Sequence, residues 1–175
     1  MATESIIVKV PARLKTKAEK VLPLVETFIQ TCQPLESQSL YLLVDNCTDA
    51  LFCECHIRAD ALILQGTVDV PLDPDEQPEY RANRELVEDH AAYERMKVDA
   101  QSGRAFSNLV AEFRSPKDDE RCLMIIGGQH RFQAIRDARE KGINEYHGLK
   151  VYFILSTDQR LDVQLISNTN IAVST

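Results

Sequence analysis

The tightest constraint on this chain is a short segment where an apolar run meets a glycine pair and then an amphipathic stretch. Leu123-Met124-Ile125-Ile126 has the composition of a buried strand, and Phe132, Ile135 and Ala138 recur at the spacing of one helical face. Between them lies Gly127-Gly128-Gln129-His130-Arg131. The pattern turns a strand directly into a helix, which glycine permits because it has no β-carbon to block left-handed backbone or close approach. The first turn of such a helix carries N–H groups without intrahelical acceptors and the positive end of the peptide dipoles, an environment suited to an anion. His130 and Arg131 add donors, one titrating near neutral pH and one permanently charged. The same residues also allow a plain corner, with the histidine capping or packing.

Elsewhere the pattern is that of a mixed α+β protein. Ile6 to Val10 reads as a short strand, and Leu14, Ala18, Val21, Leu22, Val25, Phe28 and Ile29 mark a helix up to Cys32, which Pro23 is expected to kink or divide. Strand patterns at 39–44 and 50–57 flank a turn-rich Asp45-Asn46-Cys47-Thr48-Asp49, the signature of a hairpin. Strand-like stretches at 61–64 and 67–70 flank Gly66, and a proline-rich polar loop spans 71–79. From there the spacing predicts a helix over 83–100 closed by Gly103, strands at 106–113 and 121–126 joined by a hairpin-like loop, and the motif helix ending near Gly142. A strand at 149–155 follows, then a helix over 158–166 leading into Ser167-Asn168-Thr169-Asn170. His147 falls in a loop on this reading.

Bulk properties narrow the function classes. The length suits one domain of ordinary size or one domain with a substantial extension. A formal charge of −7 argues against a whole-molecule clamp on duplex DNA, whose affinity rests on Lys and Arg neutralising phosphates. Arg13, Lys15, Lys17 and Lys20 cluster near the N-terminus, on what reads as a solvated helix face. Nothing approaches a membrane-spanning run of about 20 apolar residues, and the start lacks the apolar core of a secretory signal, so a cytoplasmic address is expected, or a nuclear one in a eukaryote. The five cysteines form no CxxC pair; Cys53 and Cys55 alternate within a strand pattern, which points to burial on one face in preference to zinc ligation.

Gly127-Gly128-Gln129-His130-Arg131, followed by Phe132 and Ala134, resembles the signature of the ParB/sulfiredoxin-like superfamily, whose members carry variants such as GERR, GGCHR, DGHHR and DGQHR at this corner. It is similar to the DGQHR type of DndB-like DNA-modification regulators, with Gly127 where that group usually has Asp. The resemblance implies a small mixed sheet with flanking helices over residues 67–175, leaving residues 1–66 as an N-terminal α+β extension or subdomain. It implies a nucleoside triphosphate, ATP or CTP, held with Mg²⁺ by Gly127, Gly128, Gln129, His130 and Arg131. Gln129 stands where sulfiredoxins carry their reactive cysteine, so their thiol chemistry is not expected.

Leu165-Ile166-Ser167-Asn168-Thr169-Asn170 resembles the ParB segment Ile-Glu-Asn-x-Gln-Arg, which brings Asn168 and Asn170 into the site. Ser167 replaces the glutamate, Asn170 the glutamine and Ile171 the arginine, which weakens the inference of ParB-type hydrolysis; read alone, these residues suit a cap or turn. Arg104, Ser107 and Asn108, in the loop before a core strand, are further candidates for phosphate or base, and the same residues also suit an ordinary helix-end loop. Catalysis is open: His130 has the chemistry of a general base, and Glu76 and Glu79 lie where kinase-like relatives keep an acid. The readings carried forward are a nucleotide-binding domain in DNA-related regulation, modification or defence, a phosphotransferase resembling free-serine kinases or a hydrolase or nuclease of the superfamily, and a degenerate interaction module. The implied partners are a nucleotide, DNA through an intermediary, and a second copy in a homodimer.

Overall fold

A computed structural model describes residues 5–68, 90–107, 109–116 and 120–173, with the backbone alone for 90–92 and 168–173. Its strands are β1 (Ile6–Val8), β2 (Leu40–Asp45), β3 (Ala50–Arg58), β4 (Gly66–Val68), β5 (Leu109–Phe113), β6 (Leu123–Gly127) and β7 (Tyr146–Phe153). The helices are α1 (Lys15–Cys32), α2 (Ala59–Gln65), α3 (His90–Gln101), α4 (Gln129–Glu140) and α5 (Thr157–Val173). The described strands form one mixed sheet in the order β1-β2-β3-β7-β5-β6-β4, and the fold is α+β.

Period-2 alternation assigns the two faces of this sheet. Leu149, Val151 and Phe153 of β7 join Cys53, Cys55 and Ile57 of β3 and Leu123 and Ile125 of β6 in the principal core, which α1, α2 and α4 cover through Val25 and Phe28, Leu62, and Phe132 and Ile135. Tyr152, Ile126 and Val110 point the other way and meet Leu155 and Val163, the latter from α5. Phe28 meets Phe113 and Phe153 edge to face at centroid distances of 5.3 and 5.7 Å, and Phe113 and Phe153 lie tilted at 6.3 Å, each contact adding about 0.5–1.5 kcal/mol beyond area burial. The sheet runs unbroken across residue 66: β3 pairs with β7 over eight residues, from Leu51↔Phe153 to Arg58↔Tyr146, and one core cluster draws on both parts of the chain.

The hairpin forms as its turn residues dictate. Asp45 accepts from the Cys47 N–H through Oδ1 and the Thr48 hydroxyl through Oδ2, both at 3.0 Å, and Asp49 takes the left-handed position. Two of the basic N-terminal residues fasten α1 to this turn: Arg13 pairs with Asp49 at 2.8 Å and Lys17 donates to its carbonyl. Cys53 and Cys55 are buried on one face, with the Cys53 thiol pushed up to about 12 by desolvation.

Four expectations change. Pro23 does not divide α1; it sits on the exposed side of a continuous helix, where a missing ladder bond is least costly. Residues 61–64 are helical in α2, because an apolar run of four is too short to distinguish the periods. β7 starts at Tyr146, so His147 is a strand residue and buried. Ser167 to Asn170 continue α5 to Val173, where a cap or turn was one reading.

No described helix is long and apolar enough to cross a membrane.

Candidate functional site

The corner forms where β6 ends. Gly128 occupies the left-handed region, at φ 79° and ψ 32°, and becomes the N-cap of α4. A β-carbon there would lie 3.1 Å from Leu109 Cδ2 and 3.4 Å from the Arg131 guanidinium. At Gly127 it would lie 2.9 Å from Ser167 Oγ and 3.0 Å from Ser167 Cβ. The second glycine thus serves the turn and the first serves packing, since it lets α5 rest directly on the corner. This accounts for a glycine where the similar signatures usually carry aspartate.

The start of α4 is electrostatically unusual. Its N-cap has no side chain to accept from the first-turn N–H groups, and the first turn holds no acid. Arg131 nevertheless stands third in the helix, against the positive end of the dipole. Its guanidinium is pushed below its ordinary value by burial alone, and it makes no ion pair or side-chain hydrogen bond among the described residues. A partly desolvated cation beside a positive helix end, with no counter-charge among the described residues, is an arrangement that an anion would relieve. His130 lies next to it, edge to face with Tyr93 of α3 at 5.6 Å, and Lys97 sits 4.6 Å over the tyrosine ring. Small side chains bring these two helices together: Ala100 of α3 packs with Ala134 and Ala138 of α4.

The structure therefore unites Gly127, Gly128, Gln129, His130 and Arg131 at one bend and seats α5 upon it at Ser167. Asn168 and Asn170 follow on that helix, their side chains outside the described residues. Arg104 is exposed and pairs with Asp99 at 3.3 Å; Ser107 is exposed, with its backbone packed against Gly148. Glu76, Glu79 and Asn108 lie outside the described residues. Two cavities, of about 430 and 410 Å³, open at the other end of β5 and β6, around Arg114 and Ser115. At the corner itself Gly127 is buried and Gly128 to Arg131 are half-buried, with Ser167 and Leu109 lying against the glycines.

Glu112 escaped the sequence reading altogether, and His147 was given no role there. Glu112 is buried in β5 and gathers Arg160 Nε at 2.9 Å, Arg114 at 3.3 Å and the Leu155 N–H at 3.1 Å. A lone acid within Leu109-Val110-Ala111-Glu112-Phe113 was its only signal. His147 accepts the Phe106 N–H at Nδ1, 2.9 Å away, and stacks on the Phe106 ring; desolvation lowers its pKa to about 4, so it is neutral at physiological pH.

Among the described residues, no cluster of three or more His, Cys, Asp or Glu side chains is placed to hold a metal ion. The donors at the corner suit phosphate oxygens, and Mg²⁺ there would be held by those oxygens and water. Comparisons with protein-family models, curated proteins and solved structures return no match.

Proposed function

We propose that the bend from Gly127 to Arg131 binds the phosphates of a nucleoside triphosphate, ATP or CTP, accompanied by Mg²⁺, in a ParB/sulfiredoxin-like domain of the DGQHR type acting in DNA-related regulation, modification or defence. The observation that carries this reading is Arg131, a half-buried cation without an acid partner among the described residues, set at a helix start whose N-cap glycine offers no side chain. Phosphate oxygens would meet the guanidinium and the helix dipole together. The acidic net charge and the engagement of Arg13 and Lys17 with Asp49 favour DNA contact through a partner. Free thiols accord with a reducing, cytoplasmic setting.

Calorimetry with ATP and CTP in the presence of Mg²⁺ tests the proposal. Binding at millimolar or tighter affinity is expected, weakened about tenfold or more in Arg131→Ala. Absence of binding by every nucleoside triphosphate refutes it. A second reading, an interaction module whose ancestral site has closed, draws on the packing of Ser167 and Leu109 over the two glycines. It predicts that null result.

A further inference from the structure

We propose that the cavity between α1 and the far end of β5 is a second binding site, for a small organic anion with a carboxylate head and a compact apolar body. The cavity holds about 430 Å³, within the range of small-molecule sites. It lies apart from the glycine corner: Phe113 on its wall pairs with Leu123 at the start of β6, whereas Gly127 is at that strand's end.

The wall divides by chemistry. Leu24 and Ile154 supply apolar surface, with Phe113 buried behind it, and Lys20 and Arg114 supply donors around it, while the Thr27 hydroxyl donates to the Pro23 carbonyl at 3.0 Å. The charge balance favours an anion. Among the described residues Glu112 is the single acid on the wall, and its oxygens are already engaged by Arg160, Arg114 and the Leu155 N–H. Lys20 is exposed and makes no ion pair among the described residues. A carboxylate between Lys20 and Arg114 would gain charge-assisted hydrogen bonds without displacing the Glu112–Arg160 pair.

Two irregularities meet on the same wall. Ile154 holds φ at 52°, a left-handed conformation that a β-branched residue seldom adopts, and it is 52% exposed despite its apolar side chain. Backbone strain of this kind persists where surrounding structure enforces it and is concentrated at ligand sites. Pro23 also lines the cavity, within α1. An apolar ligand body would cover the isoleucine while its head meets the two cations.

The test is an amide-shift titration of the isotope-labelled full chain with hexanoate, with 1-hexanol as the uncharged control. Saturable shifts are expected at Leu24, Thr27, Arg114 and Ile154, with about millimolar affinity. Lys20→Glu, a change on an exposed face, should weaken hexanoate about tenfold, and Arg114→Gln should do likewise. The proposal is overturned if these amides show no saturable shift, if hexanol binds as tightly as hexanoate, or if both variants retain the parent affinity.

Discussion

Helices α4 and α5 each follow a strand of the same sheet and each carry an arginine near the start, yet the two starts are finished in opposite ways. At α5, Ser156 and Gln159 form a reciprocal cap, the Gln159 N–H donating to Ser156 Oγ at 3.1 Å and the Ser156 N–H to Gln159 Oε1 at 2.9 Å. Arg160 is then neutralised by buried Glu112. At α4 the cap is a glycine, the first turn has no acid, and Arg131 stands half-buried without a counter-charge among the described residues. One start is complete in itself and serves stability. The other has no side-chain cap from its N-cap residue and leaves a half-buried cation without a counter-charge among the described residues, a departure from local rules of the kind found at functional positions.

The largest expected effect comes from dismantling the complete start. Glu112→Ala strands Arg160 and the Leu155 N–H in a partly buried setting, and denaturant unfolding should show a loss of about 3–5 kcal/mol. A smaller loss would mean that the Glu112 cluster is solvated in solution.

Next comes a pH effect on the segment leading into β5, whose first residue packs on Gly128. The pKa of His147 falls from 6.5 in the unfolded chain to about 4 in the folded one. Between these values the unfolded chain binds more protons, so stability is fully present above about pH 6.5 and falls as pH drops towards 4, by on the order of 3 kcal/mol. His147→Phe should flatten that slope in melts across this range, and an unchanged slope would assign it to other groups.

Gly127→Ala probes how α5 sits on the corner. The new methyl meets Ser167 at 2.9 to 3.0 Å and should cost about 1–3 kcal/mol, largely recovered when combined with Ser167→Gly. Simple additivity in the double variant would contradict the contact. The smallest effect has the opposite sign. Arg131→Glu places an anion where the helix dipole favours one and should raise stability by about 0.3–1 kcal/mol.

The corner was legible in the sequence because its three signals are local: the run at 123–126, the glycine pair, and the spacing of Phe132, Ile135 and Ala138. So was the hairpin, through Asp45. What sequence could not supply depends on sheet order. Phe106 and His147 are 41 residues apart and Glu112 and Arg160 are 48 apart; each pair meets only because β7 lies beside β5 and the chain then returns as α5. The packing of Ser167 on Gly127 is tertiary in the same way. Arg131 was named from its motif, but its lack of an acid partner among the described residues is a property of the surrounding fold and has no local signature.

The central claim is that α4 begins in a form held ready for an anion, and the Arg131→Glu variant tests it in a single set of thermal melts with and without Mg²⁺ and ATP or CTP. The account predicts that the variant melts above the parent when ligand-free, and that nucleotide raises the melting temperature of the parent alone. A variant that is less stable than the parent, or that gains as much from nucleotide, would contradict it.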